Sequence, residues 1–111
     1  MAKIVIVNSE TMGSEYKEMG QQVLGSFFRK IACQTAQPDA MIFYNSGVKL
    51  MVAGSPLLAD LEILERSRID LIACATCVRF FELGDKIVVG RISNMQEIAQ
   101  MLIKAESVIT L

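Results

Sequence analysis

The chain has 111 residues, 52% of them hydrophobic and 21% charged, a composition that supports a single packed domain over residues 1–111 and excludes a disordered segment. Its longest uncharged stretches, such as Leu50 to Ala59, run only ten residues, well short of the roughly 20 apolar residues that a spanning helix needs. Eleven basic against twelve acidic residues leave a net charge of −1, without the concentrated positive surface on which nucleic-acid binding rests.

The predicted elements alternate short apolar runs with amphipathic segments, the pattern of βα units around a parallel sheet. The first strand is Ile4 to Val7, followed by the polar loop Asn8-Ser9-Glu10-Thr11-Met12-Gly13. Tyr16, Met19, Val23, Leu24, Phe27, Phe28 and Ile31 then recur at helical spacing, which predicts a helix from about Ser14 to Cys33 with that stripe buried. A second strand, Ala40 to Tyr44, leads into Asn45-Ser46-Gly47-Val48-Lys49. Ser55-Pro56 reads as an N-cap and first-turn proline for a helix that buries Leu57, Leu58, Leu61 and Leu64. The third strand, Ile69 to Ala73, runs into Cys74-Ala75-Thr76-Cys77 and a short helix from Thr76 to Leu83 that Gly84 ends. Ile87 to Val89 reads as a fourth strand, with Arg91-Ile92-Ser93-Asn94 as the loop after it. Asn94 and Glu97 have the arrangement of a capping box, Ile98, Met101, Leu102 and Ala105 continue a last helix, and Val108 to Leu111 is a fifth strand. Because these runs are almost continuously apolar, the strands should be covered on both faces.

In an open parallel sheet the ligand crevice lies outside the carboxyl ends of the strands. The loops that begin at Asn8, Asn45, Cys74 and Arg91 should therefore share one edge, while connectors such as Arg66-Ser67-Arg68 lie at the other. The absence of histidine removes imidazole bases and histidine-based triads and metal motifs at once. What remains is sulfur chemistry. Cys74 and Cys77 form a CxxC at a strand end and helix start, where a helix dipole favours thiolate. Lys49 or Arg79 would add positive charge if the fold brings either close, and Thr76 lies between the two sulfurs. Asn8, Ser9, Asn45, Ser46, Gly47 and Asn94 are candidate ligand contacts, although Asn, Ser and Gly also make ordinary turns. Glu10 and Glu15 read as surface carboxylates before a helix, and Cys33, at the end of the first helix, as a structural residue.

The spacing alone leaves sulfur transfer, dithiol exchange and metal binding open. Two clustered sulfurs fall short of the four ligands of a closed zinc site, so no metal and no cofactor is expected. Three cysteines do not form the framework of a small secreted domain, and the sequence opens almost directly into its first strand. Both features point to a cytoplasmic protein.

Taken in order, Asn45-Ser46-Gly47-Val48-Lys49-Leu50, Gly54-Ser55, Cys74-Ala75-Thr76-Cys77 and Val89-Gly90-Arg91-Ile92-Ser93-Asn94-Met95 resemble the DsrE/DsrF-like family. The likeness is nearest to the carboxyl-terminal DsrE-like domain of YedF-type proteins of sulfur and selenium metabolism. It implies a three-layer α/β/α domain with a five-stranded, mainly parallel sheet, assembled as a homo-oligomer. It also implies a sulfurtransferase-like relay in which Cys74 carries sulfur or selenium as a persulfide; Cys77 matches the family's second cysteine and would resolve or release it. Ala75 stands where the family's CxxC usually has glycine, and the TusA-like domain of the longer proteins is not in this sequence. Donor and acceptor would then be separate proteins, TusA-like ones among them. Two further readings remain: a small-molecule or partner-binding module that needs neither cysteine, and a dithiol redox protein using the same pair.

Overall fold

The computed structural model describes residues 2–111. Five strands, β1 (Lys3–Val7), β2 (Ala40–Phe43), β3 (Asp70–Cys74), β4 (Arg91–Ser93) and β5 (Ser107–Thr110), form one sheet in the order β4-β3-β2-β1-β5, with every pairing parallel. Four α-helices, α1 (Lys17–Ala32), α2 (Leu58–Arg66), α3 (Ala75–Phe80) and α4 (Met95–Lys104), and a 3-10 helix (Asn45–Met51) connect them. None of these helices is long and apolar enough to cross a membrane.

Alternate residues of each strand feed two cores. Val5, Val7, Met41, Phe43, Leu71 and Ala73 pack with Leu24 and Phe28 of α1, Leu61 and Leu64 of α2, and the 3-10 helix. Ile4, Ile6, Ala40, Ile42, Ile72 and Cys74 pack on the opposite face beneath Ile98 of α4. The result is the expected three-layer α/β/α arrangement, with one outer layer made by a single helix.

Local chemistry revises several boundaries. The run Ile87 to Val89 is not the fourth strand. Ile87 makes an isolated antiparallel bridge to Val52, and Val88 donates its N–H to the Met51 carbonyl, so this run closes over the loop before α2. Gly90, at φ +74, turns the chain, and the edge strand follows it. That strand reads as polar because it lies at the edge: Arg91 holds Asp70 of β3 through two bonds of 3.0 and 2.9 Å and Glu97 of α4 through bonds of 2.8 and 3.2 Å.

The capping expectations fare unevenly. Asn94 does cap α4, accepting the Glu97 N–H at 3.0 Å, but the Glu97 carboxylate turns to Arg91 and Ser93 instead of closing the box. Ser55 accepts the N–H of Leu57, and α2 begins only at Leu58, so Pro56 lies in a turn ahead of the helix. After α3 the left-handed residue is Glu82, at φ +56, and not Gly84. In α1 the buried residues are Gly20, Leu24, Gly25 and Phe28, while Tyr16, Met19 and Val23 of the expected stripe are exposed. The two glycines draw that flank of the helix against Thr11 and Leu57, which rotates the rest of the stripe outward.

Gly90 carries both a left-handed backbone and a close approach, since a Cβ there would collide with the Leu71 carbonyl. Gly54 has a similar φ of +86 but open space around it. Gly54→Ala should therefore lower stability by about 1 kcal/mol and Gly90→Ala by roughly 2–4 kcal/mol. Urea denaturation reads the difference; equal midpoints would show that β4 yields to the added methyl.

Candidate functional site

β3 ends at Cys74, which also caps α3 in an extended conformation. By the alternation of β3 its side chain joins Ile72 on the face covered by α4, and the residue is only 2% exposed. Cys77, one turn into α3, is partly exposed. It lines a cavity of about 300 Å³ together with Asn45, Thr76, Phe80 and Phe81. The two cysteines are free thiols, and Cys77 packs against the core face that holds Cys74.

The other wall comes from the end of β2. Asn45 opens the 3-10 helix in the left-handed region at φ +52 and donates its backbone N–H to Cys77 Sγ at 3.0 Å. Its side-chain amide donates to Asn8 Oδ1, beyond the end of β1, at 2.5 Å. Ser46 Oγ accepts the Glu10 N–H at 3.1 Å. Gly47 lies so close to the Val7 carbonyl that any Cβ would strike it. Lys49 Nζ sits 4.4 Å from the centroid of the Phe81 ring, a cation–π contact at the cavity's margin.

Of the residues singled out from the sequence, Asn45, Thr76 and Cys77 line the cavity. Asn8, Ser46 and Gly47 stand behind Asn45 as its supports, and Lys49 reaches the Phe81 edge. Cys74 lies beneath Cys77 in the core. Ser9 accepts the N–H of Thr11 within its own loop, and Asn94 is used in capping α4. Cys33, expected to pack as a structural residue, is exposed at the end of α1.

Sequence reasoning passed over Phe80 and Phe81, whose rings meet edge to face with centroids 5.1 Å apart. Three and four residues after Cys77, they share its side of α3. An aromatic pair so spaced from a CxxC, in a chain only 6% aromatic, was the available signal. Phe80 is 79% exposed at the cavity rim.

The DsrE/DsrF-like family model matches residues 1–111. The chain belongs to the DsrE/DsrF-like family. Its fold is similar to that of the ychN protein from E. coli (TM-score 0.77, 23% identity, all of both chains covered). It is also similar to MTH1491 from Methanobacterium thermoautotrophicum, a protein of unknown function (TM-score 0.73, 18% identity, all of both chains covered). A third similar structure is BT1422 from Bacteroides thetaiotaomicron, also of unknown function (TM-score 0.72, 16% identity, 99% of this chain and 95% of the other). A comparison with curated proteins finds no match.

In this DsrE/DsrF-like chain the cavity thiol does not follow the simple expectation of a helix start that favours thiolate. Burial pushes the Cys77 thiol above its ordinary value, the Asn45 N–H draws it back down, and the neighbouring Cys74 raises it again. α3 is only six residues long, less than two turns, and its dipole is correspondingly small. Among the described residues, no group of three or more His, Cys, Asp or Glu side chains is placed to hold a metal ion.

Because the folded pKa is raised, the neutral thiol dominates at neutral pH and the reactive thiolate appears only as pH rises. Alkylation of Cys77 by iodoacetamide, mapped by peptide mass, should climb steadily from about pH 7 and still be rising at pH 9, beyond the midpoint near 8.5 of a free cysteine. A plateau below that midpoint would contradict the effect of burial.

Proposed function

We propose that this protein is a sulfur-relay carrier that takes up sulfane sulfur at the Cys77 thiol and passes it to Cys74 behind it, where the family resemblance puts the persulfide. The observation that carries the reading is the placement of Cys77: the residue lines the apolar cavity, its Sγ receives the Asn45 N–H at 3.0 Å, and it packs against the core that holds a second thiol. A reachable thiol with a fixed N–H donor to hold its thiolate and a second thiol behind it suits exchange between sulfur atoms, in which the thiolate is the nucleophile.

The first step is a displacement. Cys77 loses its proton to solvent, and the thiolate attacks the terminal sulfur of the donor persulfide. The new bond joins Cys77 Sγ to that sulfur, the donor's own sulfur–sulfur bond breaks, and the donor leaves as a thiolate that takes up a proton. Repetition of the same exchange by Cys74 moves the sulfane sulfur one position inward and returns Cys77 to the thiol. No oxidant is consumed. The backbone N–H of Asn45 steadies whichever charged sulfur occupies the Cys77 position. Donor and acceptor are proteins or small thiols that present their sulfur at the rim beside Phe80. The cargo is sulfur, or selenium by the same displacement. The chain works in the cytoplasm as a homo-oligomer, in keeping with exposed Tyr16, Met19, Val23, Ile103 and Ile109 on its surface.

Incubation of the reduced protein with a sulfane-sulfur donor, followed by intact mass, should show an added sulfur of about 32 Da. Cys77→Ser should abolish that gain, whereas Cys74→Ser should retain loading with all the added sulfur on Cys77 by peptide mass. Loading that survives Cys77→Ser and vanishes with Cys74→Ser would overturn Cys77 as the entry point. Loss of two protons with no sulfur gained would favour a dithiol redox protein, and binding of an anionic ligand by the double variant would favour a binding module. Gel filtration should place the protein well above its 12.2 kDa monomer mass; elution as a monomer would remove the oligomer from the proposal.

A further inference from the structure

The closest polar contacts of the site lie behind the cavity wall. Among the described residues, Asn45 is one of three non-glycine residues with positive φ, at +52. Asparagine tolerates that conformation better than most side chains, yet it still requires surroundings that hold it. Here the hold is specific. The Asn45 side-chain amide donates to Asn8 Oδ1 at 2.5 Å, across the gap between the ends of β1 and β2. The Tyr44 N–H donates to the Val7 carbonyl, and Gly47 seats against the same carbonyl. With the backbone so fixed, the Asn45 N–H points at Cys77 Sγ on the third connection. Asn8 touches neither the cavity lining nor the sulfur except through Asn45.

We infer that Asn8 is a positioning residue: by holding the Asn45 side chain it aims the Asn45 backbone N–H at Cys77 Sγ and so sets how readily that sulfur becomes a thiolate. The inference rests on the reading of Cys77 as the reactive thiol but concerns its ionisation, which is measurable whether or not sulfur is the cargo. A tether of this kind is useful where no histidine is present to activate a thiol. A backbone donor is the remaining means of favouring the charged sulfur, and its effect depends steeply on angle.

Other charged groups do not take over this role. Cys74 of β3 opposes ionisation of Cys77. Lys49 of the 3-10 helix is engaged over the Phe81 ring. Glu10, whose backbone binds Ser46, has its carboxylate on Lys17 at 3.1 Å. Arg79 lies two residues beyond Cys77 and on the opposite side of α3.

The experiment is a pH–rate profile of alkylation in the full chain, with Cys33, Cys74 and Cys77 followed separately by peptide mass. In Asn8→Ala the Cys77 profile should move to higher pH by about half a unit, a roughly threefold slower reaction at pH 7.5, as expected for a weakened hydrogen bond to a thiolate. The Cys33 profile, at the far end of α1, should not move, and Cys74 should stay protected. An unchanged Cys77 profile would overturn the inference. If Asn8→Ala exposes Cys74, showing that the fold has opened, Asn8→Ser supplies the milder change: a hydroxyl one atom shorter cannot keep the same contact. The same upward shift in Asn8→Ser sustains the inference, and its absence overturns it. Failure of sulfur loading in the native protein, with the pH shift present, would count against the relay and not against Asn8.

Discussion

The register of the parallel sheet is the constraint on which the site depends. Val7 pairs with Phe43 and Phe43 with Ala73, so β1 and β2 end level and β3 runs one residue further, to Cys74. The segments just beyond that level, Asn8, Tyr44-Asn45 and the turn from Cys74 into α3, therefore lie at one edge, where Asn45 bonds both Asn8 and Cys77. Parallel pairing alone produces this, because every connection must return across the sheet before the next strand begins. A slip of one residue in β2 would turn its core face outward and carry Asn45 away from the sulfur.

From that edge the two sulfurs diverge because of backbone conformation. Cys74 is the last residue of a strand and follows the pleat into the core under Ile98. Cys77 is the third residue of a helix, and the change from extended to helical backbone swings it round to the other connections. One CxxC thus yields a buried thiol and an accessible one in contact with each other. Burial of the Cys77 sulfur opposes the donor from Asn45. The state of the thiol is the balance of these two effects.

Much of the chain could be read without coordinates. The strands at Ile4, Ala40 and Ile69 and the helices between them follow from apolar runs and spacing, since they sit in the middle of the sheet where burial on both faces leaves a plain signal. The edge was harder. Arg91-Ile92-Ser93 reads as a loop because an edge strand needs no apolar continuity, and its partner Asp70 lies 21 positions away. The apolar run before it reads as a strand because burial of Val89 looks the same in sequence whether the backbone pairs in a sheet or folds over a loop.

The sequence by itself determined the fold class, the edge at which the connections gather and the presence of a thiol pair there, because each follows from local periodicity or from residue type. Tertiary structure decided which thiol meets the cavity, what donates to it and in which direction its ionisation moves. Those depend on contacts between residues 32 and 37 positions apart, Asn45 with Cys77 and Asn8 with Asn45. Only the folded register brings such residues to hydrogen-bonding distance.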